Sequence, residues 1–339
     1  MKTYISKHSL EHYRSNIFDI YFHDMNPAIL DIETTGLSFK NSNIVLVGLL
    51  VPVDCGIEVT QFLAESPDDE ANILESCLEF MRDKEIDYLI TFNGGSFDVP
   101  FFNSRLSENS ITAKLDMYNY DLYKTIRYCS DIPSIVSPLT ERNLESYMGI
   151  DELRDDSRDG RDCAKLYYEY LRTKNSDLLN LIIRHNLYDL LQLYRLLDLN
   201  RYVDLHRAMY KFGLPVRKIA PNIKPYISKN SLVIKGRLIS CSNDLIVFPV
   251  LPHDPYICVC KDDLSLEVRV PLLERGNSLY IDLGNYELDH VLSDKLSIES
   301  LDGYVSDYLI LVSEGDKKYR EINSLSILMV DMIDNIYDL

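Results

Sequence analysis

Asp31 and Glu33 stand two residues apart in Ile29-Leu30-Asp31-Ile32-Glu33-Thr34-Thr35-Gly36-Leu37, an apolar run that reads as a buried strand. Side chains on a strand alternate faces, so the two carboxylates share one face and Leu30 and Ile32 share the other. Like charges side by side on a buried strand are costly unless something offsets them. A hard divalent cation with oxygen ligands does so. In a chain with 53 acidic residues an Asp-x-Glu pair also arises by chance, as a solvated face. The pair therefore gains meaning only from what accompanies it.

Two further segments accompany it. In Tyr88-Leu89-Ile90-Thr91-Phe92-Asn93-Gly94-Gly95-Ser96-Phe97-Asp98-Val99-Pro100, an apolar strand runs through a Gly-Gly turn into a helix start marked by Pro100. Asp98 in that first turn is an ordinary helix cap, or a carboxylate offered to a cation. Capping alone leaves Asn93, two glycines and Phe97 in the same turn unexplained. In Leu181-Ile182-Ile183-Arg184-His185-Asn186-Leu187-Tyr188-Asp189, the apolar spacing is helical, and His185 and Asp189, four apart, share a helix face. Alone, that pair is equally a surface His with a carboxylate partner.

Together the three segments resemble, in order and spacing, the DEDD (DnaQ-like) superfamily of 3′-5′ exonucleases. Asp31 and Glu33 match its first motif, Asp98 its second and Asp189 its last acidic position. The Asn-Gly-Gly-Ser-Phe-Asp stretch is similar to the second motif of family B DNA polymerase proofreading domains. The wider pattern resembles the YprB-like RNase H-like exonucleases, with Tyr120-Asp121-Leu122, then Leu144-Glu145 leading to Gly149-Ile150, then His185-Asn186 before Asp189. The resemblance covers roughly residues 25–202. One departure concerns His185: it lies four positions before Asp189, the spacing at which the tyrosine branch carries Tyr, whereas the histidine branch uses five.

The resemblance implies an RNase H-like mixed sheet flanked by helices and metal-assisted phosphodiester hydrolysis. Asp31, Glu33, Asp98 and Asp189 would hold two Mg²⁺ or Mn²⁺ ions, one activating water and one stabilising the departing 3′ oxygen. His185 would take the water's proton or orient the water. Gly36, Leu37, Asn93 and Phe97 would contact the terminal nucleotides of single-stranded DNA or RNA, with Leu37 either a wedge or plain core. A catalytically inactive nucleic-acid-binding relative and a structure-directed endonuclease are the alternatives.

The elements that must position these residues follow from periodicity. Strands are expected near 28–33, 44–51, 57–63 and 87–92, and helices near 68–82, 98–106, 142–148, 160–173 and 176–199. The motif strands should lie side by side. From Ser231 onward short strands separated by turns predict a smaller antiparallel β-domain. They fall at 231–239, 245–250, 256–260, 266–273, 279–283 and 308–312. A closing helix from about Ile322 carries Leu325, Met329, Met332 and Ile336 at helical spacing. The expected organisation is a nuclease domain at 1–204, a basic linker at 205–230 and a β-rich accessory domain at 231–339.

The net charge of −18 runs against wide nucleic-acid binding. Residues 205–243, however, carry no acid and eight Lys or Arg, including Lys224, Lys229, Lys235 and Arg237. That zone reads either as a backbone-tracking path for a single strand or as a solvated linker. From Asp244 onward 19 acids face 7 bases, which suits a protein partner better than nucleic acid. Seven scattered cysteines, the lack of a signal-like apolar N-terminus and the lack of a bilayer-length run lead to an expectation of a cytoplasmic protein with no membrane contact. Cys258-Val259-Cys260 with His253 nearby makes at best half of a zinc site; two thiols on one side of a strand is the simpler reading.

Overall fold

The computed structural model describes residues 1–151, 160–286, 298–300 and 307–337. The chain divides into two compact units, Met1–Val203 and Asp204–Leu339.

The first unit is built on six strands and their helices. In chain order these are β1 (Lys2–His8), α1 (Asn16–Phe22), β2 (Pro27–Thr34), β3 (Ile44–Val53), β4 (Gly56–Leu63), α2 (Glu70–Asp83), β5 (Tyr88–Thr91), α3 (Asp98–Glu108), β6 (Tyr118–Asp121), α4 (Leu122–Cys129), α5 (Glu141–Met148), α6 (Gly160–Thr173) and α7 (Ser176–Leu196). The sheet order is β1-β4-β3-β2-β5-β6. β2 runs antiparallel to β3 and parallel to β5, so the two motif strands are neighbours. β3 is buried from Ile44 through Val51, as its continuous apolar run requires of a strand covered on both faces. One face packs Phe18 and Phe22 of α1 against Tyr88 and Tyr120, with Phe18–Phe22 and Phe22–Tyr88 ring centroids 4.3 and 4.5 Å apart. Tyr194 of α7 lines one pocket with Phe18, Ile29 and Tyr88, so α7 lies on this same face, where α6 and α7 pack on β2 and α7 also crosses β3. Asn175 caps α7 by accepting the Asp177 N–H at 3.0 Å, and Gly149 at φ 66° closes α5.

The second unit holds α8 (Leu205–Phe212), β7 (Leu214–Val216), β8 (Ala220–Ser228), β9 (Ser231–Arg237), β10 (Leu245–Val247), β11 (Tyr256–Cys260), β12 (Ser265–Pro271), β13 (Leu273–Arg275), β14 (Ser278–Asp282), β15 (Ile298–Ser300), β16 (Asp307–Ser313), β17 (Asp316–Lys317) and α9 (Tyr319–Tyr337). It is antiparallel, as expected, but forms two sheets: β10-β11-β12-β9-β8-β7, and a second one built on β13-β14-β16-β15. The run expected as one strand over 266–273 breaks at Leu272, and β13 pairs with β14 in the second sheet. Residues 205–230, expected as a linker, instead fold as α8, β7 and β8, with β8 paired to β9 from Asn222 to Ser228. Pro225 is tolerated within β8 because the β7 pairing on its other side ends at Ile223. The closing helix starts at Tyr319 rather than near Ile322. Its buried stripe is Ile322, Leu325, Met329 and Ile333; Ile336 is 61% exposed, and Met332 is only partly buried. Among the described residues no helix is long and apolar enough to cross a membrane.

Candidate active site

The sequence of β2 aims Asp31 and Glu33 at the face on which α6 and α7 lie. Single carboxylate oxygens of Asp31, Glu33 and Asp189 fall within 4.8 Å of one another. Asp189 is on α7, one turn beyond His185, whose Nε2 stands 3.3 Å from Asp189 Oδ2 and 3.8 Å from Glu33 Oε1. His185 is 3% exposed and Glu33 5%. Asp98 opens α3, and its carboxylate accepts the Ile32 backbone N–H, between the two β2 acids. It lies outside the tight trio but close enough for its charge to act on Asp31. All five residues expected to do chemistry therefore converge.

The electrostatics show what this convergence costs. Burial, then the charges of Asp189, Glu33, Asp98 and Glu141, hold the Asp31 carboxyl well above the usual carboxylate range. Burial pushes Asp98 up to about 7, against two backbone N–H donors that favour its charged form. A set of carboxyl oxygens crowded until they resist ionisation fits a hard divalent cation, which would restore their charge.

Glu141, in the first turn of α5, was not anticipated. Following the N-cap Thr140, it looks in sequence like any helix-start acid. Asn186 is a second addition, which the sequence marks only as the neighbour of His185. It is fully buried; its Nδ2 donates to Asp31 Oδ2 at 2.7 Å, and its Oδ1 accepts from Gln61 Nε2 at 2.7 Å. Asp31, Gly48 and Gln61 are register partners across β2, β3 and β4. Gly48 leaves the gap into which Asn186 reaches from α7: a Cβ there would lie 2.1 Å from Asn186 Oδ1. A strand glycine here marks a close approach rather than a bend.

The residues expected to meet substrate lie on two loops. Leu37 is 79% exposed, which removes the core reading for it. Its loop is fixed from below by buried Glu70, which accepts Ile44 N–H at 2.7 Å, Asn43 Nδ2 at 2.8 Å and Arg105 Nε and Nη2 at 2.8 and 2.7 Å. Arg105 also donates to the Lys40 carbonyl at 3.2 Å. Gly36 stands next to this support, its carbonyl accepting from Thr34 Oγ1 at 2.8 Å. Half-buried Phe97 packs against Phe39 and Phe101, with centroids 6.0 and 5.2 Å away. Asn93 has φ 62°, a left-handed turn position that Asn tolerates, and its backbone N–H donates to Asp121 Oδ1 at 3.0 Å. Asp121 Oδ2 also accepts the Gly95 N–H, so this carboxylate holds the turn that delivers Asp98.

Comparison with known proteins agrees with this architecture. A curated relative, the uncharacterized protein YprB of Bacillus subtilis, is 29% identical over 172 residues, covering 50% of this chain and 40% of the Bacillus protein. The chain thus matches well under half of that relative's length. The family B DNA polymerase of Pyrobaculum calidifontis aligns over 93% of this chain and 42% of its own, at 13% identity and a TM-score of 0.42, too low for a shared fold to be read from it. A family model of the RNase H superfamily matches residues 28–214, a span that includes β2, β5, α3 and α7, and by that match the chain belongs to the RNase H superfamily.

Proposed function

We propose that this chain is a metal-dependent 3′-5′ exonuclease acting on single-stranded DNA or RNA. The observation that carries the reading is the meeting of Asp31, Glu33 and Asp189 oxygens within 4.8 Å, under the field of Asp98. Two ions of the Mg²⁺ or Mn²⁺ class, held by these four acids, would supply a nucleophilic water at neutral pH and neutralise charge on the phosphoryl oxygens. Asn186 keeps Asp31 turned toward the cluster. His185, facing Glu33 and Asp189, is the group available to receive a proton from the attacking water. Leu37 and Phe97 wedge against the terminal bases, while Gly36 and the Asn93 turn approach the backbone of the 3′ end.

The basic zone supports a single-strand path. Lys224 and Lys235 are cross-strand partners on β8 and β9, a like-charge pairing that a phosphate relieves, and Arg237 stands next along β9 opposite Asn222. Glu267 lies 3.0 Å from Lys235 and offsets part of that charge. The acidic remainder of the second unit suits a protein partner.

The test uses end-labelled DNA and RNA oligonucleotides with Mg²⁺, Mn²⁺ or EDTA. A ladder shortening from the 3′ end, lost in EDTA and in Asp31→Ala, is expected. Internal cuts, or hydrolysis unchanged in purified and folded Asp31→Ala protein, would refute the proposal.

A further inference from the structure

Glu33 and His185 also belong to a second cluster, whose third member the hydrolytic reading does not use. From α6, Cys163 brings its thiol to the same place: a Glu33 oxygen, Cys163 Sγ and a His185 ring nitrogen lie within 4.8 Å of one another. The three come from β2, α6 and α7, and all are buried, at 5%, 1% and 3% exposure. Cys163 and Glu33 share a side-chain hydrogen bond, in which the thiol is the donor. A thiol, an imidazole and a carboxylate on three rigid elements form a donor set unlike the all-oxygen cluster beside it. Magnesium-class ions take oxygen ligands, whereas thiolate with imidazole selects zinc and its softer neighbours. Three protein ligands with one open position is a common zinc arrangement.

We propose that Glu33, Cys163 and His185 form a binding site for one zinc-class ion, and that filling it switches the neighbouring carboxylate cluster off. Binding forms a metal–sulfur bond and releases the Cys163 thiol proton to solvent, with no change in oxidation state. The thiolate and carboxylate neutralise the dication, so the buried site carries no net charge. The cost to the neighbouring cluster is direct. Glu33 is common to both groups, and a Glu33 oxygen and the His185 nitrogen committed to zinc are withdrawn from Asp31 and Asp189. The inhibitory consequence rests on the exonuclease reading; the metal site does not.

The experiment loads the full wild-type chain with one equivalent of Zn²⁺ and reads its X-ray absorption, which requires no variant. One sulfur at about 2.3 Å with nitrogen and oxygen neighbours is expected. Two sulfurs, as Cys258 and Cys260 would give, or none, would overturn the site. In parallel, Cd²⁺ should produce thiolate-to-metal charge-transfer absorption in wild type and in Asp98→Asn, but not in Cys163→Ser; a band that persists in Cys163→Ser also overturns it. In the hydrolysis assay, Zn²⁺ added over Mn²⁺ should inhibit wild type, and Cys163→Ser should lose zinc sensitivity by at least about tenfold while keeping its Mn²⁺-supported rate. If the one-sulfur spectrum appears but no sample hydrolyses any oligonucleotide, the metal site stands and the exonuclease reading falls. If hydrolysis is present and zinc-insensitive in wild type, the switch falls.

Discussion

Replacing Gly48 with Ala tests whether the site depends on how closely α7 approaches the sheet. The added methyl would sit 2.1 Å from Asn186 Oδ1 and 2.7 Å from Leu190 Cδ1. Close carbon–oxygen contacts in proteins begin at about 3.3 Å, so the gap must open by about 1 Å. Asn186 cannot yield by turning, because Gln61 Nε2 and Asp31 Oδ2 hold its two amide atoms at 2.7 Å each. Either those hydrogen bonds break or the helix lifts. Overpacking of this kind costs about 1–3 kcal/mol. Losing the bond to the Asp31 carboxylate adds about 1.5–3 kcal/mol where it breaks. His185 and Asp189 ride on the same helix, and a displacement of about 1 Å near a reacting centre is worth roughly 100-fold in rate. Urea unfolding of Gly48→Ala should therefore show a loss of about 1–6 kcal/mol, the upper part where the hydrogen bond breaks, with weaker Mn²⁺ binding by calorimetry and hydrolysis down by about two orders of magnitude. Asn186→Ala in the same chain removes the clash with the amide and leaves the contact with Leu190, so the double variant should be more stable than the sum of the two single losses by about 1 kcal/mol or more. Should Gly48→Ala unfold within about 0.5 kcal/mol of wild type and bind Mn²⁺ equally well, α7 is not seated through this contact and the argument fails.

Raised carboxyls give the metal-free protein a pH dependence of known sign. Asp31, and Asp98 at about 7, bind protons more readily folded than unfolded, so between about pH 4 and 7 stability falls as pH rises. A melting temperature in EDTA that drops from pH 5.5 to pH 8, with Mn²⁺ stabilising more at pH 8, is expected; the opposite slope in Asp98→Asn and wild type alike would contradict it. Glu70 responds in the reverse direction: burial opposes its ionisation, but hydrogen bonds from Arg105, Ile44 and Asn109 outweigh burial and hold the carboxyl below its usual range. Glu70→Gln leaves Arg105, 7% exposed, without its carboxylate and should cost about 3–5 kcal/mol by chemical denaturation. Because Glu70 also anchors the Leu37 loop, proteolysis near Lys40 should accelerate in that variant. Neutralising Lys224, Lys229 and Lys235 together should weaken oligonucleotide binding and flatten its salt dependence; an unchanged slope would remove these residues from the path.

Which features could be read in the sequence follows from how locally each was encoded. Two acids inside an apolar strand, a Gly-Gly turn before a helix start and an i,i+4 His–Asp pair are local patterns, and the sheet then brings them together because β2 and β5 pair in parallel. β1 was invisible because its seven residues, Lys2–His8, are mostly exposed and polar; only its ladder with β4 makes it a strand. β6, Tyr118–Asp121, has no aliphatic residue to mark it as a strand, whereas the equally short β5 has Leu89 and Ile90. The 205–230 stretch carried Pro, Gly and unopposed cations, the marks of a linker, and its folding is supplied by β9, a partner that periodicity within the stretch cannot reveal. The residues that tune the site escaped for the same reason. Gly48 looks like a weak point in a good strand, Asn186 like a polar residue on a helix, Glu141 like a helix-start acid and Cys163 like one of seven scattered thiols. Each acquires its role only across the sheet, where the absence of a side chain on β3 admits an amide from α7 to a carboxylate on β2. The acids carry a recognisable spacing because they must share one strand or one helix turn. The groups that orient them are free to come from anywhere the packing brings a donor within hydrogen-bonding distance.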